Sequence, residues 1–418
     1  MSEENSSPVY SPFSAPLYIM AKPAGPACNL ACKYCYYLEK KDLFEPKQRP
    51  VMTEATLERY IRTYIEAQTT KQVEFVWHGG EATIRPLSFF RRAMELQKQY
   101  AAGHDICNAL QTNGTLLTPE WCRFLHDNNW LVGISIDGPQ EFHDEYRRNP
   151  MGKPTFLSVM KGIRLLQQYN VEWNAMAVVN DYNADHPLEF YRFFKEIGCR
   201  YLQFTPIVER VKPDGHLATP LDSCGTLTEM SVTPAQWGDF LCALFDEWIK
   251  EDVGQVFVQI FDSTLANWAG FSPGLCALDT NCGHAAVMEH NGDVYSCDHF
   301  VFPQYRLGNI HSDTVISMMG SERQLKFGAA KSATLPRQCR ECRWQFACHG
   351  ECPKNRFATT ADGEPGLNYL CEGYRKFFAH VAPYMDFMKK ELEAKRAPAN
   401  VMRALDSIAN GAQPHSPE

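Results

Sequence analysis

The chain has 418 residues, too many for one small core and suited to two or three packed units. Apolar content of 44% and charged content of 22% are those of a soluble globular protein, and 41 basic against 49 acidic residues give a net charge of −8. There is no basic run to bind nucleic acid, no apolar stretch near the roughly 20 residues of a membrane span, and no basic or apolar signal region in "MSEENSSPVYSPFSAP"; the expected location is the cytoplasm.

After a tail over residues 1–15, "LYIMAK" (Leu17–Lys22) reads as a strand entering a cysteine-rich loop. "TEATLERYIRTYIEAQ" (Thr53–Gln68) opens with a capping threonine and has helical periodicity. "VEFVWHGGE" (Val73–Glu81) is a short apolar strand ending in glycines, and Leu87–Tyr100 is an amphipathic helix. "NALQTNG" (Asn108–Gly114) ends a third strand, and Pro119 opens a helix. "WLVGISIDGP" (Trp130–Pro139), a helix at Phe156–Gln168, "VEWNAMAVV" (Val171–Val179), a helix at Pro187–Ile197 and "YLQFTPIV" (Tyr201–Val208) continue the alternation. Six such units with near-continuous apolar strands imply an α/β fold, a partial (β/α)6 TIM-like barrel over residues 16–233. The three-cysteine loop, "HGGE", "QTNG", "SIDG" and "PIVE" would then converge on the rim at the C-terminal strand ends.

Beyond the barrel the pattern changes. Residues 209–235 read as an irregular insertion, and Pro234–Glu251 as the helix of a connecting helix and strand, 234–275. From Cys276 to Cys371 the chain is dense in cysteine and poor in long periodic segments, so metal substitutes for a large core in a unit over 276–378. Glu372–Ala409 reads as helical, closing a C-terminal segment (379–418) with a frayed end, and no internal repeat is visible.

Sixteen cysteines in a reducing compartment point to metal ligation where the spacing is tight. Cys107, Cys122, Cys199, Cys224 and Cys242 stand alone and are expected to be buried small hydrophobes. In "ACNLACKYCYYLEKK", Cys28, Cys32 and Cys35 have C-x3-C-x2-C spacing. Three thiolates leave one coordination position open and suit a [4Fe–4S] cluster with one iron free of protein sulfur. Zinc would ask for a fourth ligand, for which Tyr36 and Tyr37 are poor candidates. Cys276, Cys282, Cys297, Cys339, Cys342, Cys348, Cys352 and Cys371 make two sets of four, either two further clusters or two structural zinc sites. Spacing does not decide their partition.

CxxxCxxC after the first strand and GGE after the second resemble the radical S-adenosylmethionine (SAM) superfamily. The eight later cysteines resemble its SPASM-type auxiliary-cluster domain. That resemblance implies three [4Fe–4S] clusters, with Cys28, Cys32 and Cys35 on the SAM-binding one. It assigns Cys276, Cys282, Cys297 and Cys352 to one auxiliary cluster, and Cys339, Cys342, Cys348 and Cys371 to the other. "CNLACKYCYY", "WHGGEAT", "LQTNGTLL", "LVGISIDGP", "GDVYSCDHFVFPQYRLGNI" and "GECPKNR" together resemble the anaerobic sulfatase-maturating enzymes over roughly residues 17–378. The implied activity is oxidation of Cys or Ser in an unfolded sulfatase, within a Cys/Ser-x-Pro/Ala-x-Arg context, to Cα-formylglycine. A flavodoxin or ferredoxin would supply electrons.

The resemblance makes Asp298 the general base. It places Tyr34, Gly80, Ser135, Arg147 and Val208 around SAM: Gly80 by its backbone, Ser135 at the ribose, Arg147 at the carboxylate, and Tyr34 and Val208 at the adenine. Asp137, Gln111 and Asn113 point to the same rim without an assigned role, and His299 reads as a core or surface histidine. Two other readings stand beside this one: a radical SAM enzyme making a thioether or other peptide crosslink, and a zinc-binding interaction protein without catalysis.

Overall fold

The computed structural model describes residues 13, 16–44, 51–220, 222 and 224–409; the expected tail (apart from Phe13) and the expected frayed end past residue 409 lie outside them. Six strands, β1 (Tyr18–Ala21), β2 (Gln72–Trp77), β3 (Asp105–Thr112), β4 (Leu131–Ser135), β5 (Trp173–Val179) and β6 (Tyr201–Pro206), pair in chain order and all in parallel. Between them run α1 (Glu54–Glu66), α2 (Leu87–Tyr100), α3 (Pro119–Asp127), α4 (Gln140–Tyr146), α5 (Phe156–Gln168) and α6 (Pro187–Glu196).

The local reasons lie in the residues. Thr53 caps α1 by accepting the Thr56 N–H at 3.1 Å. Leu57, Tyr60, Ile61, Tyr64 and Ile65, at helical spacing, are its buried face. The buried hydroxyls of Tyr60 and Tyr64 donate to the β1-side carbonyls of Ile19 and Leu17, each at 2.7 Å, so neither hydroxyl is stranded.

After β6 the chain makes a two-stranded antiparallel hairpin, β7 (Arg210–Val211) with β8 (Thr226–Leu227). This corrects the expectation of an irregular insertion: the paired stretches are two residues each, too short to show alternation. Helix α7 (Pro234–Glu251) starts at a Thr233–Gln236 capping box. Strand β9 (Phe257–Val258) pairs parallel to β6 and leads into α8 (Gln259–Trp268), which the sequence pattern did not reveal.

Strands β10 (Ala285–Met288), β11 (Asp293–Tyr295) and β12 (Arg306–Asn309) then return to the far edge. β10 pairs parallel to β1, and β11 and β12 follow antiparallel, giving a ten-stranded sheet among the described residues. The sheet therefore runs unbroken from the barrel into the cysteine-rich segment. The helix Cys371–Glu393 packs on α7 where Gly238 and Gly373 meet: a Cβ on Gly238 would lie 2.9 Å from the Gly373 Cα. That helix contains Pro383 and stops at Glu393; a 3-10 turn (Pro398–Arg403) and a short helix (Leu405–Ala409) follow, so the expected continuous helical end is broken.

Of the five isolated cysteines, Cys122, Cys199 and Cys242 are buried as expected. Cys107 is half-buried and Cys224 exposed, because Cys224 lies in the hairpin segment outside the core. Among the described residues no helix is long and apolar enough to cross a membrane.

Candidate active site

The three-cysteine loop leaves β1 and is stitched down on two sides. Gly80 and Glu81 N–H donate to Gly25 and Ala27 carbonyls, each at 2.8 Å, while Ala31 and Lys33 N–H donate to Arg148 and Tyr146 carbonyls at 2.7 and 3.0 Å. A Cβ on Gly80 would sit 2.2 Å from the Ala27 carbonyl oxygen, so only glycine lets the end of β2 lie against this loop. Gly80's N–H is thus committed to the loop.

Glu81 ties the neighbouring strand end in. It accepts the Thr112 hydroxyl at 2.6 Å and the Asn113 N–H at 2.7 Å. Asn113 in turn donates to Asn29 Oδ1 at 2.9 Å and lies 3.9 Å from the Cys28 Sγ. "GGE" and "QTNG" therefore build the bed of the loop.

Burial pushes the thiols of Cys28 and Cys32 up, to about 11 and about 12, and the Cys35 charge adds to both. Protonated, they are poised to be deprotonated by a metal rather than to stand as free thiolates.

Asp137 is the centre of a second cluster on the rim. Its Oδ2 accepts from the Tyr34 hydroxyl at 2.5 Å and from Arg147 Nε at 2.8 Å, and its Oδ1 from the Val178 N–H at 2.9 Å. Arg147 thus spends its Nε on a wholly buried carboxylate. Ser135 accepts from Gln111 Nε2 at 3.0 Å. The Val208 carbonyl accepts from Lys354 Nζ at 3.1 Å, and Lys354 also pairs with Glu209. Tyr34 and Arg147 are brought together through Asp137, a hub that sequence reasoning had left without a role.

Asp298 sits between the first cysteine loop and the later cysteines. Its Oδ1 meets the Lys22 ammonium, and its Oδ2 accepts from the Tyr36 hydroxyl at 2.6 Å. Burial pushes its carboxyl up, but the Lys22 ammonium, by its charge and its hydrogen bond, outweighs this and holds it well below the usual carboxylate range. His78 and His299 are themselves pushed down to about 4, burial being the main cause, so both are neutral at pH 7. His299, expected to be an ordinary histidine, is half-buried with its ring 5.1 Å from that of Tyr36. Lys22, Tyr36 and His78 were missed by sequence reasoning; the signal available for Lys22 was a lysine ending an apolar strand directly before the cysteines.

The eight later cysteines gather into two groups. For Cys297 and Cys352 burial is the main upward push; the neighbouring thiols that add to it are Cys352 and Cys276 for Cys297, and Cys276 and Cys282 for Cys352. Likewise Cys371 feels Cys339 and Cys342, and Cys348 feels Cys371 and Cys339. Cys339, Cys342, Cys348 and Cys371 line a cavity of about 340 Å³ with Trp344, Tyr374 and Phe378. That volume exceeds the need of one metal ion, and its soft thiol donors suit an iron–sulfur cluster. Among the described residues no three His, Cys, Asp or Glu side chains close around a single ion.

Between the two groups, Arg356 Nε donates to the Gly350 carbonyl at 2.8 Å, and its Nη2 to those of His349 and Glu351 at 2.9 and 3.0 Å. These bonds hold three successive left-handed residues, with φ of 47°, 72° and 52°, between Cys348 and Cys352.

Comparison with known proteins gives the family. The family description "Radical SAM superfamily" matches residues 23–194, and "Iron-sulfur cluster-binding domain" matches residues 280–343. The chain is 64% identical over 400 residues to the serine-type anaerobic sulfatase-maturating enzyme of Bacteroides thetaiotaomicron, covering 95% of this chain and 97% of that enzyme. It is 33% identical to the cysteine-type anaerobic sulfatase-maturating enzyme of Clostridium perfringens, covering 88% of this chain and 97% of the relative. The structure of anSMEcpe with bound AdoMet and Cp18Cys peptide superposes with a TM-score of 0.79 at 31% identity, covering 90% of this chain and 99% of that one.

Proposed function

The chain belongs to the anaerobic sulfatase-maturating enzymes of the radical SAM superfamily, and from that membership we propose which residues carry its reaction. It oxidises a Cys or Ser of an unfolded sulfatase, in a Cys/Ser-x-Pro/Ala-x-Arg context, to Cα-formylglycine. When bound, SAM and the [4Fe–4S] clusters supply a 5′-deoxyadenosyl radical that takes one hydrogen atom from the substrate Cβ, and a sink for one electron.

Cys28, Cys32 and Cys35 hold the SAM-binding cluster. Cys276, Cys282, Cys297 and Cys352 hold one auxiliary cluster, and Cys339, Cys342, Cys348 and Cys371 the other. Tyr34, Gly80, Ser135, Arg147 and Val208 bind SAM, with Asp137 fixing the first and fourth of them. The working units are the barrel over 16–233, a connection over 234–275, the auxiliary-cluster unit over 276–378 and the C-terminal segment. A cytoplasmic flavodoxin or ferredoxin is the electron donor. Likeness to a serine-type relative over nearly the whole chain favours serine as the residue oxidised.

Asp298 is the general base. One observation carries this: the residue after Cys297 is hydrogen-bonded to Tyr36, the residue after Cys35, so the carboxylate stands between the two metal sites. A carboxylate is a weak base toward an ordinary hydroxyl. A hydroxyl on a carbon that has lost a hydrogen atom is more acidic, so Asp298 accepts the proton as the carbonyl forms. For serine, loss of one hydrogen atom, one proton and one electron gives the aldehyde directly; for cysteine the thioaldehyde then takes up water and releases hydrogen sulfide.

The test is anaerobic incubation of reconstituted protein with SAM, reductant and serine- or cysteine-containing motif peptides, read by mass spectrometry. The expected product is lighter than the serine peptide by the mass of the two hydrogens lost. Unchanged peptides beside active SAM cleavage would overturn the reading. Replacing Cys28, Cys32 and Cys35 together with Ala should abolish 5′-deoxyadenosine formation and leave about 8 of about 12 iron atoms.

A further inference from the structure

Lys22 is 1% exposed, and lysine is almost never buried this deeply unless it is paired. Its backbone is pinned on both sides: the N–H donates to the Met288 carbonyl at 2.9 Å, and its own carbonyl accepts from Gly25 at 3.1 Å. The ammonium lies 3.4 Å from the centre of the Tyr37 ring and meets Asp298 Oδ1. The Tyr37 hydroxyl is held in turn by Glu289, a wholly buried carboxylate just past β10. Tyr36 takes the other oxygen of Asp298. The carboxylate is therefore gripped at both oxygens, one from the end of β1 and one from the cysteine loop. The other buried lysine nearby, Lys40, is turned to the Val301 carbonyl at 3.1 Å and to the Phe302 ring.

A buried ion pair is poor evidence of added stability, since apolar residues in its place often serve as well. Its position against the base calls for another role. We propose that Lys22 is a positioning residue for the oxidation, fixing the Asp298 carboxylate in the orientation from which it accepts the substrate proton. This rests on the reading of Asp298 as general base.

Lys22→Met removes the charge at nearly constant length. Measured in the fully loaded enzyme, it should keep about 12 iron atoms and continue to form 5′-deoxyadenosine. Formylglycine should fall at least tenfold, so the ratio of 5′-deoxyadenosine to product rises by that factor, with the peptide KM within about threefold. The Lys22→Met/Asp298→Asn double variant should be no worse than Asp298→Asn alone, because the lysine acts through the aspartate. If Lys22→Met loads too little iron, Lys22→Gln is measured in its place.

Coupled turnover at the normal rate in Lys22→Met, or 5′-deoxyadenosine and product falling in parallel in both single variants, overturns the proposal. A double variant clearly worse than Asp298→Asn also overturns it. An active Asp298→Asn would instead sink the reading of Asp298.

Discussion

Asp298 and Asp262 are both half-buried carboxylates, and their surroundings drive them in opposite directions. At Asp298 burial is outweighed by Lys22, so the group is an anion ready to accept a proton. Asp298→Asn removes that capacity with little change of shape. It should retain all iron and SAM binding, and lower formylglycine formation by about 100-fold or more, within the range expected for loss of a general base; quantitative mass spectrometry of the peptide checks this. Asp262, in the first turn of α8, has no such partner among the described residues, and burial alone raises its carboxyl from 3.8 to about 7. The folded chain then holds the proton more tightly than the unfolded chain does. Stability falls as pH rises from about 4 to about 7, and the deficit is complete above that. At about 1.4 kcal/mol per pH unit, the full effect is on the order of 4 kcal/mol. Asp262→Asn should therefore raise the anaerobic melting temperature clearly at pH 8 and hardly at pH 4; an equal rise at both would disprove the burial argument.

Among the elements, the cysteine loop depends on how closely β2 approaches it. Gly80→Ala puts a methyl group 2.2 Å from a carbonyl oxygen on a backbone pinned by two hydrogen bonds. The loop must shift, and the expected outcome is iron falling from about 12 to about 8 per chain, with loss of 5′-deoxyadenosine. Iron analysis and the SAM-cleavage assay read this directly, and full iron with normal cleavage would refute it. The importance of "GGE" was visible in the sequence. Its reason was only half visible: glycine was expected to admit a ligand, whereas in the fold Gly80 admits the loop and Glu81 braces Thr112 and Asn113. The hairpin of β7 and β8 and helix α8 escaped because two-residue strands and a helix directly continuing a strand carry no clean period.

For the whole molecule, the continuous sheet makes barrel and cysteine-rich segment interdependent. β1, which delivers the first cysteines and Lys22, has β10 as its outer partner, and α7 is covered by the helix Cys371–Glu393. A fragment ending at residue 275 would expose the β1 edge and the apolar face of α7. It should be insoluble or lack a cooperative unfolding transition, even with iron supplied; a soluble fragment that unfolds cooperatively by circular dichroism would show the barrel to be autonomous.

What the sequence determined by itself is the chemistry held in short spans. Strand and helix periods announced the six units, and C-x3-C-x2-C set three thiols within one loop, because ligands a few residues apart need no distant partner to be brought together. The nearness of Cys297 to Cys352, across 54 intervening residues, was decided by the tertiary structure. So was the meeting of Lys22 with Asp298, 276 positions apart. Such contacts depend on which strand lies beside which: β10 returns to pair with β1, and that pairing, absent from any local pattern, sets the lysine and the aspartate at the same mouth.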